Sequence, residues 1–94
     1  MSKTTAAIPG LSGTNVFIRT VTHYFTGKVE RVTKSWIILS SAAWIADTGR
    51  FADALRSGSL NEVEPYPDDA IVRVNRDGVI DIANWKHELP RKQK

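Results

Sequence analysis

NVFIRTVTHYFTGKVERVTKSWIIL, residues 15–39, decides the fold of this chain. Three segments within it are rich in β-branched and aromatic residues, a composition typical of β-strands, and two polar breaks of hairpin length separate them. The segments are residues 15–21, 25–33 and 36–39. We therefore expect an antiparallel meander of three strands. Gly27 lies inside the second strand, where a glycine is typical of a bulge or a sharp bend.

A short helix is predicted after the meander. Residues 50–57 place two large apolar side chains one turn apart, Asp47 or Thr48 can cap the start, and Gly58 suits a left-handed C-cap. A single helix over residues 42–57 is the alternative. The glycine inside that longer helix would cost about 1 kcal/mol relative to alanine, so we favour the short helix.

Further strand segments surround the helix. Residues 42–46 predict a strand that continues the meander after a break at two serines, and residues 61–66 predict a short strand that Pro65 and Pro67 confine to an edge or an end of the sheet. Residues 71–74 and 79–82 flank Asn-Arg-Asp-Gly, which predicts a C-terminal β-hairpin. In that hairpin Gly78 would be the left-handed residue of a bulge.

The composition describes one small domain. The chain has 94 residues, 41% of them hydrophobic and 24% charged, near the globular average. It has no cysteine, which excludes disulfides, zinc–thiolate sites and thiol nucleophiles. No apolar run is long enough for a membrane span or a signal peptide, so we expect a cytoplasmic protein. We expect residues 1–14 to be an extended arm, residues 15–89 the domain, and residues 90–94 a flexible basic tail.

The charged residues are arranged in blocks. Residues 1–58 hold seven basic and three acidic residues, residues 59–85 hold two and six, and residues 86–94 hold four and one. Such blocks can neutralise one another within the fold or join complementary halves of neighbouring subunits. A stronger and more clustered excess is typical of a nucleic-acid-binding domain.

No motif for catalysis is present. The chain lacks a phosphate loop, a nucleophile elbow and a Rossmann fingerprint, and neither His23 nor His87 has a partner at metal-ligand spacing. We predict a protein that is not an enzyme and has no cofactor or metal. A hydrolase would need two carboxylates brought together from distant parts of the chain.

Aromatic and basic residues are the candidate binding residues. An aromatic shelf that stacks on a base contributes about 1–3 kcal/mol, and arginines hold phosphates. Trp36, inside the run WIIL, is predicted to be core, whereas Trp44 and Trp85 are open between core, subunit contact and ligand shelf. Arg50 lies beside a predicted helix start, where backbone N–H groups can bind an anion. An ion pair between Arg50 and Asp47 is the alternative. The candidate ligand-binding residues are Arg19, Lys28, Arg31, Trp44, Arg50 and Arg56.

The chain resembles known proteins in two ways. VFIRTVTHYFTGKVERVTKSWIIL, residues 16–39, resembles the opening strands of Sm-like and SH3-like small barrels, among them bacterial Sm-like ring proteins. No N-terminal helix and no second Sm signature accompany it, so no RNA-binding residue is carried over. The features IRT at 18–20, AWI at 43–45, VEP at 63–65 and a late tryptophan resemble small bacteriophage and prophage proteins without an assigned function. That likeness implies a phage-encoded accessory protein.

Together these observations predict a mainly-β fold, a small Sm/SH3-like antiparallel β-barrel with one short helix and a C-terminal hairpin. The predicted function is that of a homo-oligomeric, phage-encoded binding module for an anionic ligand, a nucleic acid or a nucleotide, in the host cytoplasm and without a membrane partner. The alternative is a structural subunit that binds another phage or host protein, in which the charge blocks serve assembly.

Overall fold

The computed structural model describes residues 8–94. It has a mainly-β fold with one short α-helix, as predicted, and its six strands form one antiparallel sheet. None of the helical segments within these residues has the length and hydropathy of a membrane span. The strands are β1 (Asn15–Thr20), β2 (Tyr24–Val32), β3 (Trp36–Asp47), β4 (Glu62–Pro65), β5 (Val72–Asn75) and β6 (Val79–Asn84), and helix α1 spans Phe51–Ser57.

The first three strands form the predicted meander, and the other strands extend it on both sides. β6 pairs with the free side of β1, giving the order β4-β3-β2-β1-β6. β5 pairs with the first half of β3 and β4 with the second half. The predicted barrel is wrong, because the sheet is not closed. Among the described strands, β6 at one end of the order pairs with neither β4 nor β5 at the other.

The predicted hairpin between β5 and β6 is also wrong. Arg76–Gly78 form a 3-10 turn, and the strands that it joins pair with β3 and β1 instead of with each other. The side-chain oxygen of Asn75 accepts a hydrogen bond from the backbone N–H of Asp77 at 2.9 Å, which favours a helical bend. Gly78 does not have the positive φ that the predicted bulge requires.

Two β-bulges set the register between β2 and β3. The register shifts at Gly27, as predicted, and the extra residue on β3 is Ser41, which has a φ of 48°. A second shift between Val29 and Arg31 adds Glu30 to β2. β3 therefore runs without interruption through the serines at which the sequence predicts a break.

Side chains from the two faces of the sheet form two clusters. The second half of β3 lies under α1, whereas its first half, residues 36–40, contributes nothing to the helix-side cluster. We call the face of the sheet that carries α1 the outer face. On this face, residues 36–40 are therefore not covered by the helix. The inner cluster is Leu11, Val16, Ile18, Phe25, Val29, Ile37, Leu39, Ala42 and Val74. The helix-side cluster is Phe17, Ala43, Ile45, Ala54, Leu60, Val63 and Trp85.

Helix α1 begins after Arg50, one residue later than predicted, and no side chain caps its start. Asp47, a predicted cap, instead accepts the backbone N–H of Gly49 at 2.8 Å, and the Thr48 hydroxyl donates to the carbonyl of that glycine. Gly58 adopts a left-handed φ of 78° and donates its N–H to a carbonyl of the helix. The predicted C-cap is thus confirmed and the predicted N-cap is wrong.

The two ends of the described chain pack on the sheet. Residues 1–7 of the predicted arm lie outside the described residues, and Leu11 belongs to the inner cluster. At the other end, residues 90–94 lie along β4. Arg91 donates to the backbone carbonyls of Ala42 at 2.9 Å and Tyr66 at 2.7 Å, and the Lys94 backbone exchanges two hydrogen bonds with β4. These hydrogen bonds anchor the segment that the sequence predicts to be a flexible tail, and they are long-range contacts that the local sequence does not reveal.

Candidate functional site

Trp36, predicted to be a core residue, lies on the surface with 39% of its area exposed. Ile37 and Leu39 belong to the inner cluster, and successive side chains of a strand point to opposite faces. Trp36 therefore lies on the outer face, beyond the part of β3 that α1 covers. The prediction was wrong because four consecutive apolar residues, WIIL, conceal this alternation.

Two arginines lie diagonally across from the tryptophan. Arg31 of β2 and Arg73 of β5 are both register partners of Ile38 in β3, so the three residues form one row across the outer face. Ile38 is only 5% exposed, although it belongs to neither cluster, which indicates that the aliphatic parts of its long neighbours cover it. Trp36 lies two residues along β3, diagonal to both arginines, at about 7–8 Å and within reach of long side chains.

Two lysines extend the positive charge beside this row. Lys28 is the register partner of Ser40 and shares its face, and Lys34 lies in the turn between β2 and β3. Glu30, a carboxylate of the same region, accepts a hydrogen bond from the Ser40 hydroxyl. We call the following set the cationic strip: Lys28, Arg31, Lys34, Trp36 and Arg73.

The charges of the cationic strip are unpaired. Within the described part of the chain, its four basic side chains form no ion pair and no hydrogen bond. The cationic strip and Glu30 together hold four basic residues and one acidic residue. The rest of the chain therefore holds nine basic and nine acidic residues, whose charges balance. The formal net charge of +3 is therefore accounted for by this one face.

The backbone beneath the indole is firmly held. The N–H of Trp36 donates to Thr33 Oγ1 at 3.0 Å, and the N–H of Thr33 donates to the Trp36 carbonyl at 2.8 Å. Arg76 donates from its backbone to the Ser35 carbonyl at 2.9 Å and from Nη1 to the Thr33 carbonyl at 2.7 Å. These bonds tie the β2–β3 turn to the 3-10 turn. An aromatic surface that is already ordered loses less entropy when a ligand binds.

Arg19, a predicted ligand-binding residue, is engaged elsewhere. Its Nε lies 3.0 Å from each carboxylate oxygen of Asp81, and its guanidinium carbon lies 5.0 Å from the centroid of the Phe51 ring. The hydrogen bond with Arg19 lowers the pKa of Asp81 below its ordinary value and raises the pKa of the arginine. These contacts join β1, β6 and α1, which is a structural role.

Three further predicted residues lie away from the cationic strip. Arg56 forms an ion pair with Asp53 of the same helix. Arg50 is exposed just before α1, and its predicted pairing with Asp47 is not among the ion pairs of the described residues. Trp44 is half-buried beside the inner cluster, with its ring centroid 5.3 Å from that of His23. Of the six predicted residues, only two belong to the strip, Lys28 and Arg31.

Sequence reasoning missed three members of the strip, Trp36, Lys34 and Arg73. The alternation Val-Arg-Val at residues 72–74 is the signal that could have placed Arg73 on an outer face. Its position beside Trp36 depends on the pairing of β5 with β3, which no local pattern specifies.

The remaining aromatic and histidine side chains have structural contacts. Trp85 stacks on Phe17 with ring centroids 5.7 Å apart, and its Nε1 donates to the Glu88 carbonyl at 3.0 Å. His87 Nε2 lies 2.8 Å from the Leu55 carbonyl. No group of three or more His, Asp or Glu side chains within residues 8–94 is placed to hold a metal ion.

A groove open to solvent lies between the end of α1 and residues 87–94. Its lining contains no Phe, Tyr or Trp, and Arg91 within it is bonded to backbone carbonyls. The cationic strip therefore remains the surface that combines an exposed aromatic ring with unpaired charge.

Comparison of the chain with protein-family models, with curated proteins and with solved structures found no match. The resemblances to Sm-like and SH3-like barrels and to phage proteins stay predictions from the sequence.

Proposed function

We propose that this protein is a non-enzymatic binding module whose ligand is anionic, a nucleic acid or a nucleotide, held on the cationic strip. One observation carries the proposal: four cations without an ion pair among the described residues lie on or beside the strands that carry an exposed tryptophan, and the backbone of that tryptophan is fixed in place. Planar guanidinium groups suit phosphate oxygens, and the face of an indole suits a base.

The test compares two double variants with the same change in net charge. Arg31→Gln with Arg73→Gln removes two charges from the strip, and Arg50→Gln with Lys86→Gln removes two charges from exposed residues elsewhere. The probes are ATP and a labelled oligonucleotide of about ten nucleotides, long enough to cover the binding surface of a small domain. Binding is measured at about 50 and 200 mM salt, because phosphate contacts make affinity fall with salt.

We expect the strip variant to bind at least one probe about tenfold to a hundredfold more weakly than wild type, since one charge-assisted hydrogen bond contributes about 1.5–3 kcal/mol. The control variant should lose much less affinity. Equal losses in the two variants would mean that charge attracts the ligand without a defined site. Failure of the wild type to bind either probe would reject the proposal.

The second candidate is a self-associating structural or protein-binding subunit. Val21 and Ile80 are 77% and 58% exposed at one corner of the sheet, where the N–H of Val21 donates to the Gly78 carbonyl. β6 ends the strand order, so its outer edge is open to strand addition among the described residues. Native mass spectrometry of the wild type and of Ile80→Lys tests this candidate. A wild-type oligomer that dissociates in the Ile80→Lys variant supports it, and a monomeric wild type rejects self-association.

A further inference from the structure

We propose that the ligand of the cationic strip is a single-stranded polynucleotide, with one base stacked on Trp36 and its neighbouring phosphates held by Arg31 and Arg73. This inference rests on the proposed function and narrows it from any anionic ligand to one class. It follows from an exposed indole that lies diagonally across from two arginines on the same face of the sheet.

The exposed indole favours a single strand. In a duplex each base is covered on both faces by its neighbours, and only single-stranded segments or ends offer a free face for stacking. Trp36 is 39% exposed on the sheet surface, with Ile38 two residues away on the same face, so it offers an exposed aromatic platform. An unstacked base of a single strand can stack on this surface.

The spacing of the cations favours a polymer over a mononucleotide. Arg31 and Arg73 lie on either side of β3, separated by two interstrand spacings, about 10 Å. A chain that crosses the three strands can therefore offer a different phosphate to each arginine. Lys28 and Lys34 provide further positive charge along the strand direction.

The charge of the surface favours a nucleic acid over a protein partner. A protein interface surrounds its aromatic anchor with a mixed polar rim. Trp36 pairs with the neutral Asn75, the charged residues diagonal to it are the two arginines, and the carboxylate of Glu30 is already hydrogen-bonded to Ser40. Because stacking suits every base, we expect little sequence preference.

The first experiment compares three probes on the wild-type protein: a single strand of about ten nucleotides, a blunt duplex of the same sequence, and the mononucleotide. We expect the single strand to bind at least about tenfold more tightly than either of the others. The logarithm of its association constant should fall with the logarithm of the salt concentration with a slope of about −1.4, from two phosphate contacts at about −0.7 each.

The second experiment tests the stacking contact. Trp36→Ala should weaken single-strand binding about 5-fold to 150-fold, the range that corresponds to a stacking contribution of about 1–3 kcal/mol. Trp36→Phe keeps an aromatic face and should retain most of the affinity. Quenching of tryptophan fluorescence by the bound strand should be strong in wild type and weak in Trp36→Phe, in which Trp44 and Trp85 remain. Circular dichroism checks that both variants are folded.

The outcomes separate this inference from the proposed function. A duplex or mononucleotide that binds as tightly as the single strand would overturn the inference while the proposed function stands. Full single-strand affinity in a folded Trp36→Ala variant would overturn it as well, because the indole would then contribute nothing to binding. Absence of binding to all three probes would reject both.

Discussion

Two glycines of the β-sheet region have opposite surroundings. A Cβ atom added at Gly27 would lie 3.2 Å from both Cβ and Cδ1 of Leu39 and 3.3 Å from the Ser40 carbonyl oxygen. A Cβ added at Gly78 would meet nothing within 4 Å, and Gly78 has no positive φ. A methyl group at the bulge would therefore crowd Leu39 and the Ser40 carbonyl, whereas one in the 3-10 turn would crowd nothing.

We predict that Gly27→Ala lowers the free energy of unfolding by about 1–3 kcal/mol, the usual cost of inserting a methyl group into a packed site. Gly78→Ala should change it by less than about 0.5 kcal/mol, because the site is open. Guanidinium denaturation of both variants measures the difference. A larger loss for Gly78→Ala would contradict the 3-10 turn and restore the hairpin predicted from the sequence.

The Arg19–Asp81 pair predicts a dependence of stability on acid pH. The pKa of Asp81 is lower in the folded protein than in the unfolded chain, so the unfolded chain takes up a proton first as the pH falls. The contribution of the pair is complete above the unfolded pKa of about 3.9 and is lost as the pH drops through the folded pKa. Asp81→Asn should therefore be less stable than wild type at neutral pH, with the difference shrinking below about pH 4. Urea midpoints across this range measure it, and a constant difference would contradict the assignment. The loss at neutral pH should be small because both groups are exposed.

At the scale of elements, β3 serves two environments along its twelve residues. Its first half has one face in the inner cluster and the other face outside the cover of α1, while its second half contributes side chains to both clusters. Ser41, with its positive φ, separates the halves. One strand can therefore support both the core and an exposed binding surface.

We predict that Ile37→Ala costs about 2–5 kcal/mol of stability, because Ile37 is buried in the inner cluster. Trp36→Ala, one residue away, should leave the domain folded and cost clearly less. Denaturation of the two variants side by side decides between them. If Trp36→Ala were the more damaging change, the indole would have to belong to the core.

The existence of most elements could be predicted from the sequence, because each has a local signal. Gly58 marks the end of α1, and the β-branched segments mark the first two strands. The 3-10 turn escaped prediction, since Asn-Arg-Asp-Gly also suits a hairpin, and the choice depends on where the flanking strands find partners. The surface position of Trp36 was not predicted, because a run of apolar residues does not reveal which face of the sheet each side chain occupies.

At the scale of the whole molecule, Arg91 connects the C-terminal segment to the sheet. Its guanidinium bonds the Ala42 and Tyr66 carbonyls and the Asp68 carboxylate. We predict that Arg91→Ala lowers the free energy of unfolding by about 1–3 kcal/mol, the cost of leaving such partners unsatisfied. Lys92→Ala, at an exposed neighbour, is the control and should have little effect. Thermal unfolding measures both, and equal melting temperatures would mean that the tail adds no stability.

The order of the strands is the property that the sequence revealed least. Neighbouring strands form hairpins that turn lengths predict, but β5 and β6 pair with strands far away in the chain. The same long-range pairing brings Arg73 beside Arg31, so the complete cationic strip could not be predicted before the register was known. Lys28 and Arg31 could be predicted because both lie in the meander.

The pairing of β1 also has a consequence for synthesis on the ribosome. Ile18 pairs with Phe25 on one side and with Ile82 on the other, so one edge of this strand stays unpaired until Ile82 has been synthesised. At about 5–20 residues per second, the interval is roughly 3–13 s. During that time a nascent chain exposes an unpaired strand edge, which neighbouring nascent chains on the same message can extend. Translation that stalls before β6 should therefore give aggregates, which completed chains avoid.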